Sequence, residues 1–69
     1  MKWIIVDTRD YGKGDINWYY KGKSNTRIFE IQLPEYTRNV KDAKIFNNKK
    51  KAYAANVPGK IKLLEEYLK

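Results

Sequence analysis

Asp7, Asp10 and Asp15 stand close enough in sequence to gather a hard cation through carboxylate oxygens. Their spacing departs from the calcium-loop pattern, in which acidic or amide residues alternate and a glycine follows. Aspartate also ends strands and opens turns routinely, and on that reading no metal is expected. Gly12-Lys13-Gly14 invites a phosphate-loop reading, but phosphate fingerprints need wider glycine spacing and a helix directly after them. Glu65 and Glu66 are adjacent, so they project from different faces of a strand or a helix and form no acid–base pair. Glu35 stands alone. The chain contains no His and no Cys, which removes the commonest general base near neutral pH, the thiolate nucleophile and any disulfide. No catalytic constellation and no cofactor site is expected. What remains is a protein that works by binding.

The binding chemistry lies where cations neighbour aromatics. Trp18-Tyr19-Tyr20-Lys21-Gly22-Lys23 and Arg27 share one region, and single-stranded nucleic-acid binders stack bases on such aromatics while cations follow the backbone. Strand alternation sets Ile16, Trp18 and Tyr20 on one face and Asn17, Tyr19 and Lys21 on the other. Trp18 and Tyr20 then read as core, and Tyr19 as the exposed platform. Lys49-Lys50-Lys51 with Lys44 makes a second basic patch, readable as phosphate contact or as solvated surface. Tyr36 and Arg38 are residue types that anchor protein interfaces. The candidate contact residues are therefore Tyr19, Tyr20, Lys21, Lys23, Arg27, Tyr36, Arg38, Lys44, Lys49 and Lys50.

Fifteen Lys and Arg against eight Asp and Glu give a net charge of +7, which suits an acidic partner, whether a nucleic acid or an acidic protein face. Only Arg9, Arg27 and Arg38 are arginines, and Asn, Ile and Tyr are abundant beside Lys. An A/T-rich genome loads those residues onto any protein, so the charge alone does not choose a function.

The elements that must position these groups are few. Sixty-nine residues make one domain, spanning 1–69. Lys2–Thr8 is β-branched and aromatic on both faces, as a central strand covered on each side is. Ile16–Lys21 and Arg27–Leu33 alternate around Gly22-Lys23-Ser24-Asn25, so a hairpin turning there is expected, with Phe29, Ile31 and Leu33 inward and Pro34 ending it. Pro34–Asp42 reads as a polar loop. Ala43–Phe46 is a short extended piece, and Asn47 or Asn48 caps a helix through Lys49–Ala55 whose Ala52 and Ala55 offer a flat face. Lys60–Lys69 fits both a strand and a helix; it is assigned a strand over Lys60–Leu64 and a helical C-terminal turn. The expected fold class is α+β, an antiparallel sheet of four to five strands with one helix, possibly two, on one face.

Asp42-Ala43-Lys44-Ile45-Phe46 followed by Lys51-Ala52 resembles a pattern in small accessory proteins of phages and other mobile elements. In those, a strand opening with Trp leads into a hairpin and an Ala-Lys-Ile-Phe segment introduces a helix. The resemblance implies an origin and a habit: stoichiometric binding to a host protein, in the manner of an inhibitor. The alternative is a nucleic-acid or nucleotide binder using the basic-aromatic hairpin. With no apolar run long enough for a membrane span or a signal peptide, a cytoplasmic protein without membrane contact is expected. A homodimer is also open, because so small a sheet leaves an edge strand to pair.

Overall fold

The computed structural model describes residues 1–10, 12, 14–28 and 31–68, with the backbone alone at residues 24–28, 31 and 32. It contains strands β1 (Trp3–Asp10), β2 (Asp15–Ile28), β3 (Ile31–Thr37) and β4 (Lys60–Leu63), and one helix, α1 (Lys49–Ala54). Short 3-10 turns cover Val40–Asp42 and Leu64–Glu66. The strands form one antiparallel sheet in the order β3-β2-β1-β4, so the fold is α+β with a four-stranded sheet and a helix against it.

Ile4-Ile5-Val6 organises the molecule, because consecutive strand residues face opposite sides and all three are buried. Ile4 and Val6 pack with Ala43 and Leu64 under Tyr19, Val40 and Tyr67. Ile5 packs with Tyr20, Phe46 and Ala52, flanked by Trp3, Tyr36 and Ile61. Each such aliphatic side chain contributes about 1.5–3 kcal/mol when fully buried. One short run thus anchors two cores, one per face. The central, doubly covered strand expected from its composition is β1.

α1 forms where the sequence places it. Asn48 accepts a hydrogen bond from the Lys51 N–H at 2.8 Å, and Ala52, 2% exposed, lets the helix lie close on Ile5 and Phe46. Asn56 turns the chain at φ 49°, and Gly59 at φ 130° feeds it into β4. The C-terminal segment is a strand followed by a helical turn, as assigned.

The hairpin departs from expectation. β2 continues through Gly22–Asn25 as far as Ile28, which pairs with Ile31. Gly22, at φ 122°, sits where the β2–β3 register shifts, so the glycine serves a strand irregularity instead of a turn. Pro34 does not end β3 but pairs with Lys23 inside it. β3 is an edge strand, where a missing N–H is tolerated. Leu33, expected inward, is exposed. The expected loop over Pro34–Asp42 is strand as far as Thr37 and 3-10 turn from Val40. Phe29 and the side chain of Ile31, both expected in the core, lie outside the described residues.

Candidate functional site

β1 pairs with β2 from Val6↔Tyr19 to Asp10↔Asp15, and β2 pairs with β3 through Tyr19↔Thr37 and Tyr20↔Tyr36. Directly opposed residues share a face. Asp7, Arg9, Trp18, Tyr36 and Arg38 therefore gather on the side of the sheet that carries α1, beyond the stretch of β1 that the helix covers. Ala52 of the helix packs on Ile5, Tyr20 and Phe46, and the cluster lies past them toward the far end of β1.

Trp18 is the centre of the cluster. The Arg9 guanidinium stands 5.6 Å from its ring centroid, reaching in from β1, and the Arg38 guanidinium stands 5.6 Å away, reaching in from the end of β3. Arg9 also lies 5.7 Å from the Tyr36 ring. Cations over aromatic faces contribute about 0.5–1 kcal/mol each at exposed sites. Asp7 Oδ2 accepts from Arg9 Nε at 3.0 Å, with both side chains partly exposed. Such a pair adds little stability, so its main effect is to fix the direction of the Arg9 side chain. Arg38 makes no ion pair among the described residues.

Trp18 Nε1 is buried and has no hydrogen-bond partner among the described residues. A buried donor left unpaired costs about 1–3 kcal/mol. The indole thus sits at a local expense, beside two guanidinium groups that present charge to solvent. Tyr36 fixes the neighbouring edge. Burial raises its hydroxyl above the ordinary tyrosine value, Asp7 and Tyr20 add to that, and Arg9 opposes it. The protonated hydroxyl donates to the Pro58 carbonyl at 2.6 Å.

The other candidate residues scatter. Tyr20 is 2% exposed, stacked on Phe46 at 6.4 Å and edge-on to Tyr36, so it is core and no contact residue. Tyr19 is not an exposed platform either: it is half-buried on the opposite face, edge-on to Tyr67 at 5.7 Å, because that face has its own core. Lys21 is exposed, 3.8 Å from Glu35. Lys23 is exposed opposite Pro34. The side chain of Arg27 lies outside the described residues. Lys44 stands over Phe46 at 5.8 Å and Lys49 over Trp3 at 5.4 Å, with Lys50 exposed in the first turn of α1. These lysines gather around the start of β1, roughly 20 Å from Arg9 at ~3.3 Å per strand residue.

Of the expected contact residues with described side chains, Tyr36 and Arg38 join the Trp18 cluster, while Lys44 and Lys49 lie at the other end of β1. There they meet Arg9, which lies beyond the strand expected over Lys2–Thr8, and Trp18, expected in the core. The available signal was the Ile5, Asp7, Arg9 alternation, which carries β1 past Thr8 and sets Arg9 on the Trp18 face. Among the described residues no acidic cluster has the makings of a metal site. No helix in them is long and apolar enough to cross a membrane.

Fold and site together define a class: a small α+β sheet protein carrying an arginine–aromatic patch on one half of a sheet face. No protein-family model matches the chain, and neither a curated protein nor a solved structure matches it.

Proposed function

We propose that this chain is a non-catalytic binding protein that makes stoichiometric contact with an acidic protein surface through Trp18, Arg9, Arg38 and Tyr36. The observation that carries the reading is the placement of two arginines at 5.6 Å from one tryptophan ring. Trp, Tyr and Arg dominate the energetics of protein interfaces, and they do so when clustered. A guanidinium seated on an aromatic ring is already oriented, so less side-chain freedom is lost when a carboxylate docks on it. In the mobile-element setting that Asp42–Phe46 resembles, the partner is a host protein and the outcome is inhibition or redirection.

The same cluster disfavours the single-stranded nucleic-acid reading. A base that stacked on Trp18 would have to displace a guanidinium, and Tyr19 is engaged in the opposite core. Affinity capture from host lysate, with and without nuclease, separates the two. A protein retained at one-to-one stoichiometry after nuclease supports the proposal. Recovery of nucleic acid, with all protein lost on nuclease treatment, refutes it.

A further inference from the structure

β4 is an open edge of the sheet, and its backbone polarity follows from the neighbouring bonds. The Leu64 N–H donates to the Lys2 carbonyl at 2.9 Å, whereas Trp3 exchanges both its backbone bonds with Phe46 on its other side. Trp3↔Leu63 is therefore a pair without mutual hydrogen bonds, and in an antiparallel ladder such pairs alternate with bonded ones. Lys60 and Lys62 then turn their N–H and C=O groups to β1. Ile61 and Leu63 turn theirs outward.

Side chains on the edge divide in the same rhythm. Ile61 and Leu63 oppose Ile5 and Trp3 and share the α1 face, while Lys60 and Lys62 oppose Val6 and Ile4 and share the other. A cleft flanks the edge on each side. The one on the α1 side, about 440 Å³, is lined by Ile5, Tyr53, Val57 and Ile61 with Lys49 at its margin. The one on the opposite side, about 400 Å³, is lined by Val6, Asp7, Thr8, Tyr67, Lys60 and Lys62, two lysines against one aspartate. An edge with outward amides and clefts on both faces is what strand addition uses, main-chain bonds giving affinity and the clefts giving selectivity.

Charge selects the occupant. In antiparallel registers where a second copy pairs its Ile61 with Ile61 or Leu63, Lys62 falls opposite Lys60 or Lys62 of that copy respectively, and directly opposed like charges destabilise a ladder. The other edge, β3, carries Pro34 and is blunted. We infer that β4 accepts an extended acidic segment of another protein as a fifth strand, with acidic side chains opposite Lys60 and Lys62 and β-branched ones opposite Ile61 and Leu63. This surface is distinct from the Trp18 cluster and does not depend on it.

The test uses the whole chain and the blocked peptide Glu-Val-Glu-Val-Glu-Val-Glu, followed by amide NMR and hydrogen exchange. The peptide should shift the Ile61 and Leu63 amides and slow their exchange, while the same peptide with proline at its central valine should not. In the double variant Lys60→Glu/Lys62→Glu, affinity for the acidic peptide should fall by at least about tenfold, as expected when favourable cross-strand pairs become repulsive. That variant should instead acquire binding to Lys-Val-Lys-Val-Lys-Val-Lys, a gain that misfolding cannot mimic. Arg38→Ala should leave peptide binding unchanged. The inference is overturned if the proline peptide binds equally, if the shifts miss β4, if oligothymidylate gives the same protection at Ile61 and Leu63, or if Arg38→Ala abolishes binding.

Discussion

Tyr36 donates its hydroxyl to the Pro58 carbonyl across 2.6 Å, and this bond fastens edge strand β3 to the segment joining α1 to β4. Tyr36 and Pro58 are far apart in sequence, and between them the chain builds the second core's Phe46 and Ala52. Tyr36→Phe keeps the ring against Tyr20 and Arg9 and removes only the bond. It should cost about 0.5–1.5 kcal/mol. For a domain of this size that is a fall in Tm of about 4–8 °C per kcal/mol, readable by circular dichroism. An unchanged Tm would mean that the bond carries no load.

Gly59 is required by space as well as by conformation. A Cβ built there would lie 2.7 Å from Ile5 Cγ2 and 3.1 Å from the Val6 carbonyl oxygen, at a φ of +130°. Ile5 is buried in one cluster with Tyr20, Phe46 and Ala52, so moving it aside disturbs that core. Gly59→Ala should destabilise by about 1–3 kcal/mol, measured by urea unfolding. A loss under about 0.5 kcal/mol, the scatter of ordinary surface substitutions, would contradict the close approach of β4 to β1.

The first turn of α1 holds Lys49, Lys50 and Lys51 and no acidic residue, so its charge opposes the helix dipole. Lys49 stands over Trp3, which leaves Lys50 as the cleaner site for reversal. Lys50→Glu should stabilise by about 0.3–1 kcal/mol at low salt, with the gain shrinking as salt is added. A drop in Tm would show that Lys50 has a stabilising role the dipole argument lacks.

Burial raises the hydroxyls of Tyr20, Tyr36 and Tyr67 above the ordinary value of 10.0. An acid whose folded value is raised holds its proton longer in the folded chain than in the unfolded one. Ionisation therefore favours unfolding: stability is complete below about pH 10 and declines as pH climbs through the raised values. Thermal unfolding followed from about pH 9 to pH 11 should show Tm falling, and Tyr36→Phe should flatten the slope. A pH-independent Tm across that range would contradict the burial assigned to these rings.

Much of this fold was legible because local chemistry and long-range packing agree. Ile4-Ile5-Val6 demanded cover on both faces, Asn47 or Asn48 with Ala52 and Ala55 announced a capped helix that could lie close, and Lys60–Leu64 fitted a strand. The β2–β3 turn was misplaced because Gly22-Lys23-Ser24-Asn25 has turn chemistry, yet that chemistry equally serves a register shift in a longer strand. The site was half legible. Tyr36 and Arg38 declare themselves by type, but Arg9 and Trp18 join them only through the register of β1, β2 and β3, which no local pattern contains. Tyr19 misled for a related reason: its face acquires a core from Ala43, Leu64 and Tyr67, which arrive late in the chain.

The central claim is that the Trp18 cluster is the contact surface, and Arg38 tests it most directly because its guanidinium stands on Trp18 with no ion pair to lose among the described residues. Nuclease-treated lysate should be passed over the wild-type chain, Arg38→Glu and Lys50→Glu, and the captured protein quantified. A partner held by the wild type and by Lys50→Glu, but reduced at least about tenfold by Arg38→Glu, is the predicted result, since a buried or partly buried charge contact at a hot spot is worth about 1.4 kcal/mol or more. Equal capture by all three proteins, or loss with Lys50→Glu alone, would place the contact elsewhere and contradict the account.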